Sequence, residues 1–172
     1  MKTLPIAVAA SLALVAALAS AQSPNDAQIA SIVVTANQVD IDAGKLAQSK
    51  GSNEVKAFGK QMVTDHSGVN KQAVALVTKL KVTPEDNATS KSLKDGGAEN
   101  VKKLEKLKGS EFDRAYVDNE VTYHQAVLDA VDKTLIPSAQ NAELKALLVS
   151  VRPAFVAHLD HAKHLQAALA KK

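Results

Sequence analysis

The chain of 172 residues contains no cysteine and no tryptophan, and its aromatic side chains are two tyrosines and three phenylalanines. Without cysteine there is no disulfide framework and no thiolate metal site, so stability must come from a packed core. So few aromatic faces exclude a sugar-binding or base-stacking platform. Apart from Met1 there is one methionine, Met62, which excludes a thioether copper(I) site. The net charge is only +3, and the basic residues are scattered, so nothing resembles a nucleic-acid footprint. Long apolar runs are also missing after the first stretch, MKTLPIAVAASLALVAALASAQS. That stretch has a charged start at Lys2, an apolar run over residues 6–18, and the small-x-small triplet Ala19-Ser20-Ala21. This is the pattern of a secretory signal peptide, with cleavage expected after Ala21. No cysteine follows it, so the lipid-anchored route is closed. The expectation is one exported domain over residues 22–172. It would lie in a bacterial periplasm or at the periphery of the outer membrane, with no transmembrane segment in the mature chain.

What is present is rich in Ala, Leu, Val and Lys, a composition that suits helices. Four long helical patterns can be read. In residues 26–50, Ile29, Ile32, Ala36, Val39, Ala43 and Leu46 recur at alternating three and four, the spacing of an inward seam. Gly51 stops this helix, and Ser52 or Asn53 caps the next. Residues 54–81 carry the stripe Val55, Phe58, Met62, His66, Val69, Ala73, Leu76 and Leu80. Residues 82–109 then read as a crossover. It is polar and loop-like through Pro84 and the Gly96-Gly97 pair, with a short helix bearing Val101, Leu104 and Leu107. The third long helix covers residues 110–135 with Ser110 as its cap. The fourth covers residues 139–170, with Leu144, Leu148, Val151, Phe155, His158, Ala162, Leu165 and Leu169 on one stripe. Pro153 inside it predicts a bend. Short, long and short connections predict an all-α, ferritin-like four-helix bundle with a long crossover between the second and third long helices.

Polar residues interrupt these apolar faces. His66 and His158 stand on inner stripes, His124 groups with Val117, Val121 and Leu128, and Asp40 flanks the seam beside Val39. Each long helix thus offers one potential ligand near the core. Counted from the hairpins at a rise of about 1.5 Å per residue, Asp40 and His66 lie within about 5 Å of the same depth, while His124 and His158 differ by about 10 Å. One Asp and three His meeting in mid-bundle would suit a divalent metal ion: zinc, copper(II), iron or manganese. Asp65, Glu120 and His161 are close enough in sequence to support these ligands or replace one of them. His164, six residues from His158, points elsewhere. The competing reading is a hydrogen-bonded network of core histidines in a structural or stress-related envelope protein, with an unknown envelope partner. A third is an acid–base pair at Asp65-His66. Adjacent helical positions diverge by about 100°, which disfavours it.

Known chemistry is narrowed further by what these helices omit. Di-iron carboxylate bundles carry Glu-x-x-His. Here Val63, Val121 and Phe155 precede the three histidines by three residues, so an oxygen-activating di-iron site is not expected. No nucleophile elbow or phosphate loop is present. No residue is assigned a catalytic role, and the expectation is binding, buffering or sensing rather than turnover.

Several segments together resemble the bacterial domain-of-unknown-function family 4142, predicted outer-membrane proteins regarded as ferritin-like. They are VDIDAGKLAQSKGSNEVKAFGKQMVTDHS, with its Phe-x-x-x-Met-x-x-Asp-His motif, GSEFDRAYVDNEVTYHQ, and the pair Pro153 and His158. The resemblance covers nearly the whole mature chain. It implies functional positions at Asp40, Asp65-His66, His124 and His158. The chain departs from the pattern at Asp40, where the family implies Glu, and the shorter side chain reaches less far. Glu120 and His161 lie outside the resemblance. No alternating barrel strands accompany the outer-membrane label.

Overall fold

A computed structural model describes residues 23–171, so the leader and its cleavage site fall outside the described residues. The described chain is all-helical. α1 spans Asp26–Lys50, α2 Asn53–Leu80, α3 Ala88–Glu105 and α4 Gly109–Ala130. A π-helical turn, Val131–Leu135, and a short helix α5, Ile136–Ser138, extend α4 before the chain turns back as α6, Ala142–Leu169.

Three of the helix starts are made by asparagine. Asn25 caps α1 by accepting from the Gln28 amide, and Gln28 reciprocates through its side chain. Asn87 accepts from the amides of Thr89 and Ser90, and Asn141 from those of Glu143 and Leu144. The expected Ser110 cap is not made. α4 begins one residue earlier, at Gly109, whose φ of 54° lets the chain swing into the helix without a Cβ clash.

The predicted stripes face inward. Val55, Phe58, Met62, Val117, Tyr116 and Ala162 form one part of the core, and Ile29, Ile32, Val131, Leu144 and Leu148 another. Val69, Leu128, Val151, Phe155 and Leu159 join them near mid-height. α1 and α2 form the most intimate helix pair, and α4 packs on α6. Gly44 and Gly59 face each other across the first pair. A Cβ on Gly59 would lie 2.7 Å from the Ala47 Cβ and 2.8 Å from the Gly44 carbonyl oxygen. Gly59→Ala should therefore destabilise the protein by about 1–3 kcal/mol, the usual cost of overpacking, and urea unfolding would measure it. Unchanged stability would mean that the two backbones do not approach this closely.

The crossover corrects the sequence reading. Residues 88–105 are helical throughout, and the helix runs straight through Gly96-Gly97. Those glycines are not breakers. A Cβ on Gly97 would meet the Val39 side chain at 2.6 Å, so the missing side chain lets α3 lie against α1. Close packing and the Asn87 cap together outweigh glycine's poor helix propensity of about 1 kcal/mol. Among the residues of α3 only Ser90 and Leu104 are buried.

The second hairpin corrects the depth comparison. Counting the extension through Ser138, His124 stands 14 residues before the turn and His158 stands 16 after Ala142. The mismatch shrinks to two residues, or about 3 Å. α6 continues unbroken through Pro153. No described helix is long and apolar enough to cross a membrane.

Candidate metal centre

At mid-height the apolar core gives way to a compact polar cluster. Asp40 of α1, His66 of α2, Glu120 and His124 of α4, and His158 of α6 are each 2 % exposed or less. Each sits where its helix would otherwise carry an apolar residue, so the amphipathic pattern that folds the chain also aims these groups inward.

Each histidine is fixed by a hydrogen bond from one ring nitrogen. Asn37 donates from Nδ2 to the Val33 carbonyl at 2.8 Å, which turns its Oδ1 toward His66. His66 Nδ1–H then donates to that oxygen at 2.6 Å. His124 Nδ1–H donates to the Glu120 backbone carbonyl at 3.1 Å, and His158 Nε2–H to Asp65 Oδ2 at 2.9 Å. All three acceptors are oxygens, so each bond holds the proton on the outer nitrogen and leaves a lone pair on the inner one. The inner atoms, His66 Nε2, His124 Nε2 and His158 Nδ1, have no hydrogen-bond partner. Outer anchoring of this kind is how proteins orient histidine ligands.

The free groups converge. One nitrogen from each of His66, His124 and His158 lies within 4.8 Å of the others. The ring centroids are 5.6, 5.1 and 5.4 Å apart. Three imidazoles on one tetrahedral ion, at metal–nitrogen bonds of about 2.0–2.1 Å, would have ring centres about 5 Å apart. The rings are therefore spaced to share an ion with little movement. A second group shares His124: ligand atoms of Asp40, Glu120 and His124 also lie within 4.8 Å of one another. Asp40 Oδ2 is 3.2 Å from His66 Nε2 and 3.7 Å from His124 Nε2, and Glu120 Oε2 is 3.4 Å from His124 Nδ1. Asp40 Oδ1, both Glu120 carboxyl oxygens and the Tyr116 hydroxyl have no hydrogen-bond partner.

Burial sets the charges. It raises the Asp40 carboxyl to about 7 and Glu120 well above the carboxylate range, with the neighbouring Asp40 adding to the rise of Glu120. Burial lowers His66 to about 2 and His124 to about 4, helped by the neighbouring histidines, and it lowers His158 as well. The 3.2 Å Asp40–His66 contact is thus not an ion pair at neutral pH, because desolvation keeps the imidazole neutral. Five buried groups with unmet polar atoms are costly to a folded protein. A cation among them would supply the missing partner and favour the ionised carboxylates. The donor set is imidazole and carboxylate, the set that first-row divalent ions take.

Asp40, His66, His124 and His158 all meet as the sequence suggested. Asp65 is a supporting partner, but of His158 rather than of its neighbour His66. That leaves the Asp65-His66 acid–base pair without a structural counterpart. His161 is not in the cluster; it is exposed, pairs with Gln61 at 3.1 Å and lies edge-on to Phe58. Glu120, read from sequence only as an alternate, lies inside. Its signal was the helical spacing Glu120-x-x-x-His124, one full turn, which a search at three residues passes over. Asn37 stands one turn before Ile41 on the buried side of α1, and nothing in the sequence marked it as the anchor of His66.

The model of a family described as a domain of unknown function (DUF4142) matches residues 12–165. No curated protein matches the chain. No solved structure matches it either.

Proposed function

The chain belongs to the DUF4142 family, and from that premise we propose that it is an exported, ferritin-like bundle protein that binds a divalent metal ion in its core without turnover. The observation that carries this reading is the set of orphaned inner atoms. Each of three histidines keeps an unpartnered inner nitrogen, one nitrogen of each lies within 4.8 Å of the others, and two buried carboxyls stand beside His124. His66, His124 and His158 would hold the ion, with Asp40 and Glu120 as the carboxylate donors and Asp65 and Asn37 orienting the rings. When bound, the ion supplies a positive charge that the buried carboxylates neutralise. The lack of cysteine and of a second methionine after Met1 other than Met62 favours zinc, copper(II), iron or manganese over copper(I). The short–long–short connections between the four helices that carry ligands support the ferritin-like assignment. The charged start, apolar run and Ala19-Ser20-Ala21 triplet support export to the periplasm. A purely structural hydrogen-bond network fits less well, because such a network would satisfy the inner atoms as well as the outer ones.

The test is elemental mass spectrometry on untagged protein, purified and then dialysed against a panel of divalent metals. The expected result is about one equivalent of one metal retained through further dialysis, as a closed histidine–carboxylate site requires. Protein that keeps no metal from any member of the panel would leave the cluster without its proposed ligand.

A further inference from the structure

Beside the polar cluster lies a cavity of about 150 Å³ lined mainly by α1, α3, α4 and α6, with His66 of α2 at one end. Its walls are aliphatic and aromatic, with Ile32, Val33, Val127, Val131, Leu148 and Phe155 contributing. Two of the polar side chains along it are already engaged. Asn37 Nδ2 donates to the Val33 carbonyl at 2.8 Å and the Tyr123 hydroxyl to the Ala36 carbonyl at 2.9 Å. At the inner end stand Asp40 and His66. At the outer end the lining residues Thr89 of α3 and Ala126 of α4 are exposed. α3 packs extensively on α1 but touches α4 little, so the two helices part there. Ala36, Ala126 and Ala130 line the gap, and their short side chains leave it open.

We infer that this cavity is a binding site for a small neutral apolar molecule, no larger than a benzene ring, seated against the Asp40–His66 edge of the cluster. Size and chemistry agree. An apolar cavity of about 150 Å³ stays dry and takes up benzene or xenon, whereas a buried water needs about 2–4 polar partners. Along most of this wall no such partners are free. An ion or a sugar would lose its hydration and gain almost nothing. Asp65, which accepts from the buried His158, has a side chain 40 % exposed. The apolar walls of the cavity favour uncharged molecules. Binding in the cavity does not rest on the metal reading, because its walls stand in the metal-free chain.

The experiment is a benzene titration of the full, chelator-treated protein, followed by methyl NMR with labelled valine and leucine. Saturable shifts confined to the valine and leucine methyls that line the cavity, such as Val33, Val127, Val131 and Leu148, are expected. Ala36→Leu extends a side chain into the cavity and should weaken binding by at least about tenfold. Ala130→Leu serves the same purpose should the first variant fail to fold. Val127→Ala enlarges the space and should extend binding to a larger ring such as indole. A folded protein with no saturable shifts, shifts centred on other methyl groups, or undiminished affinity in the filled variants would each overturn the proposal. Metal content of the same preparations before chelation is read separately. Benzene shifts in a protein that never retains metal would keep the cavity site and remove the metal site. Retained metal with no benzene response would do the reverse.

Discussion

His124→Ala should abolish stoichiometric metal retention. His124 is the one residue common to both groups of converging ligands, the three histidines and the Asp40–Glu120 pair. Removing it takes each group below three donors at once. The affinity loss should exceed that of removing a supporting partner, which typically costs about 10–100-fold. Asp65→Asn, which alters only the acceptor that holds the outer nitrogen of His158, should fall within that smaller range. His161→Ala should change nothing, since its ring bonds Gln61 at the surface. Competition with a chromophoric chelator would rank the three, with circular dichroism to establish that each variant is folded. Equal affinities for His124→Ala and His161→Ala would place any bound metal somewhere other than the buried cluster.

The second large effect is on the metal-free protein, whose stability should peak in mildly acid solution and decline on both sides. Asp40 is raised from 3.8 to about 7 by burial. Its contribution is therefore fully present below the unfolded value and is lost as pH rises through about 7. Glu120, raised well above its ordinary value, extends the same loss further. The histidines act in the opposite sense. His66 falls from 6.5 to about 2 and His124 from 6.5 to about 4. Their contribution is present above 6.5 and is lost as pH falls through the folded values. Between about 4 and 6.5 the two trends oppose each other. Above that window the carboxylates act alone, and below it His66 does. Each buried carboxyl that must ionise costs about 1.4 kcal/mol for every pH unit climbed below its folded pKa, so the alkaline limb should amount to a few kcal/mol. Urea unfolding of chelator-treated protein at about pH 6.5 and pH 8 measures it, and Glu120→Gln should shrink the difference. Bound metal should reverse the alkaline limb, because deprotonated carboxylates bind it better. Greater stability of the metal-free wild type at pH 8 would mean that these carboxyls are not desolvated in the fold.

The sequence carried the inward stripes well, because a helix of 25 or 28 residues repeats its period many times. It carried His66 and His158 for the same reason: each replaces an apolar residue on a clean stripe. The crossover helix was hidden, because Gly96-Gly97 is a local signal for a break, and the contact with Val39 that overrides it lies far away in sequence. The level of His158 against His124 was hidden by the π-helical turn and α5, which lengthen α4 where Pro137 suggests an earlier end. Glu120 was visible in principle one turn before His124. Its complete burial, which turns it from a surface acid into a candidate ligand, depends on how α4 is rotated against α1 and α6. No single helix encodes that rotation.

The division of the candidate ligands between the two hairpins has a consequence for the order of assembly. Asp40 and His66 belong to α1 and α2, which are joined by only Gly51 and Ser52. Contacts so near in sequence form early and fast. Glu120, His124 and His158 come from the other hairpin, beyond the whole length of α3. Neither half holds three converging donors of one group by itself. The cluster therefore comes into being only when the halves dock, and an ion held there would recognise the finished molecule and neither of its parts.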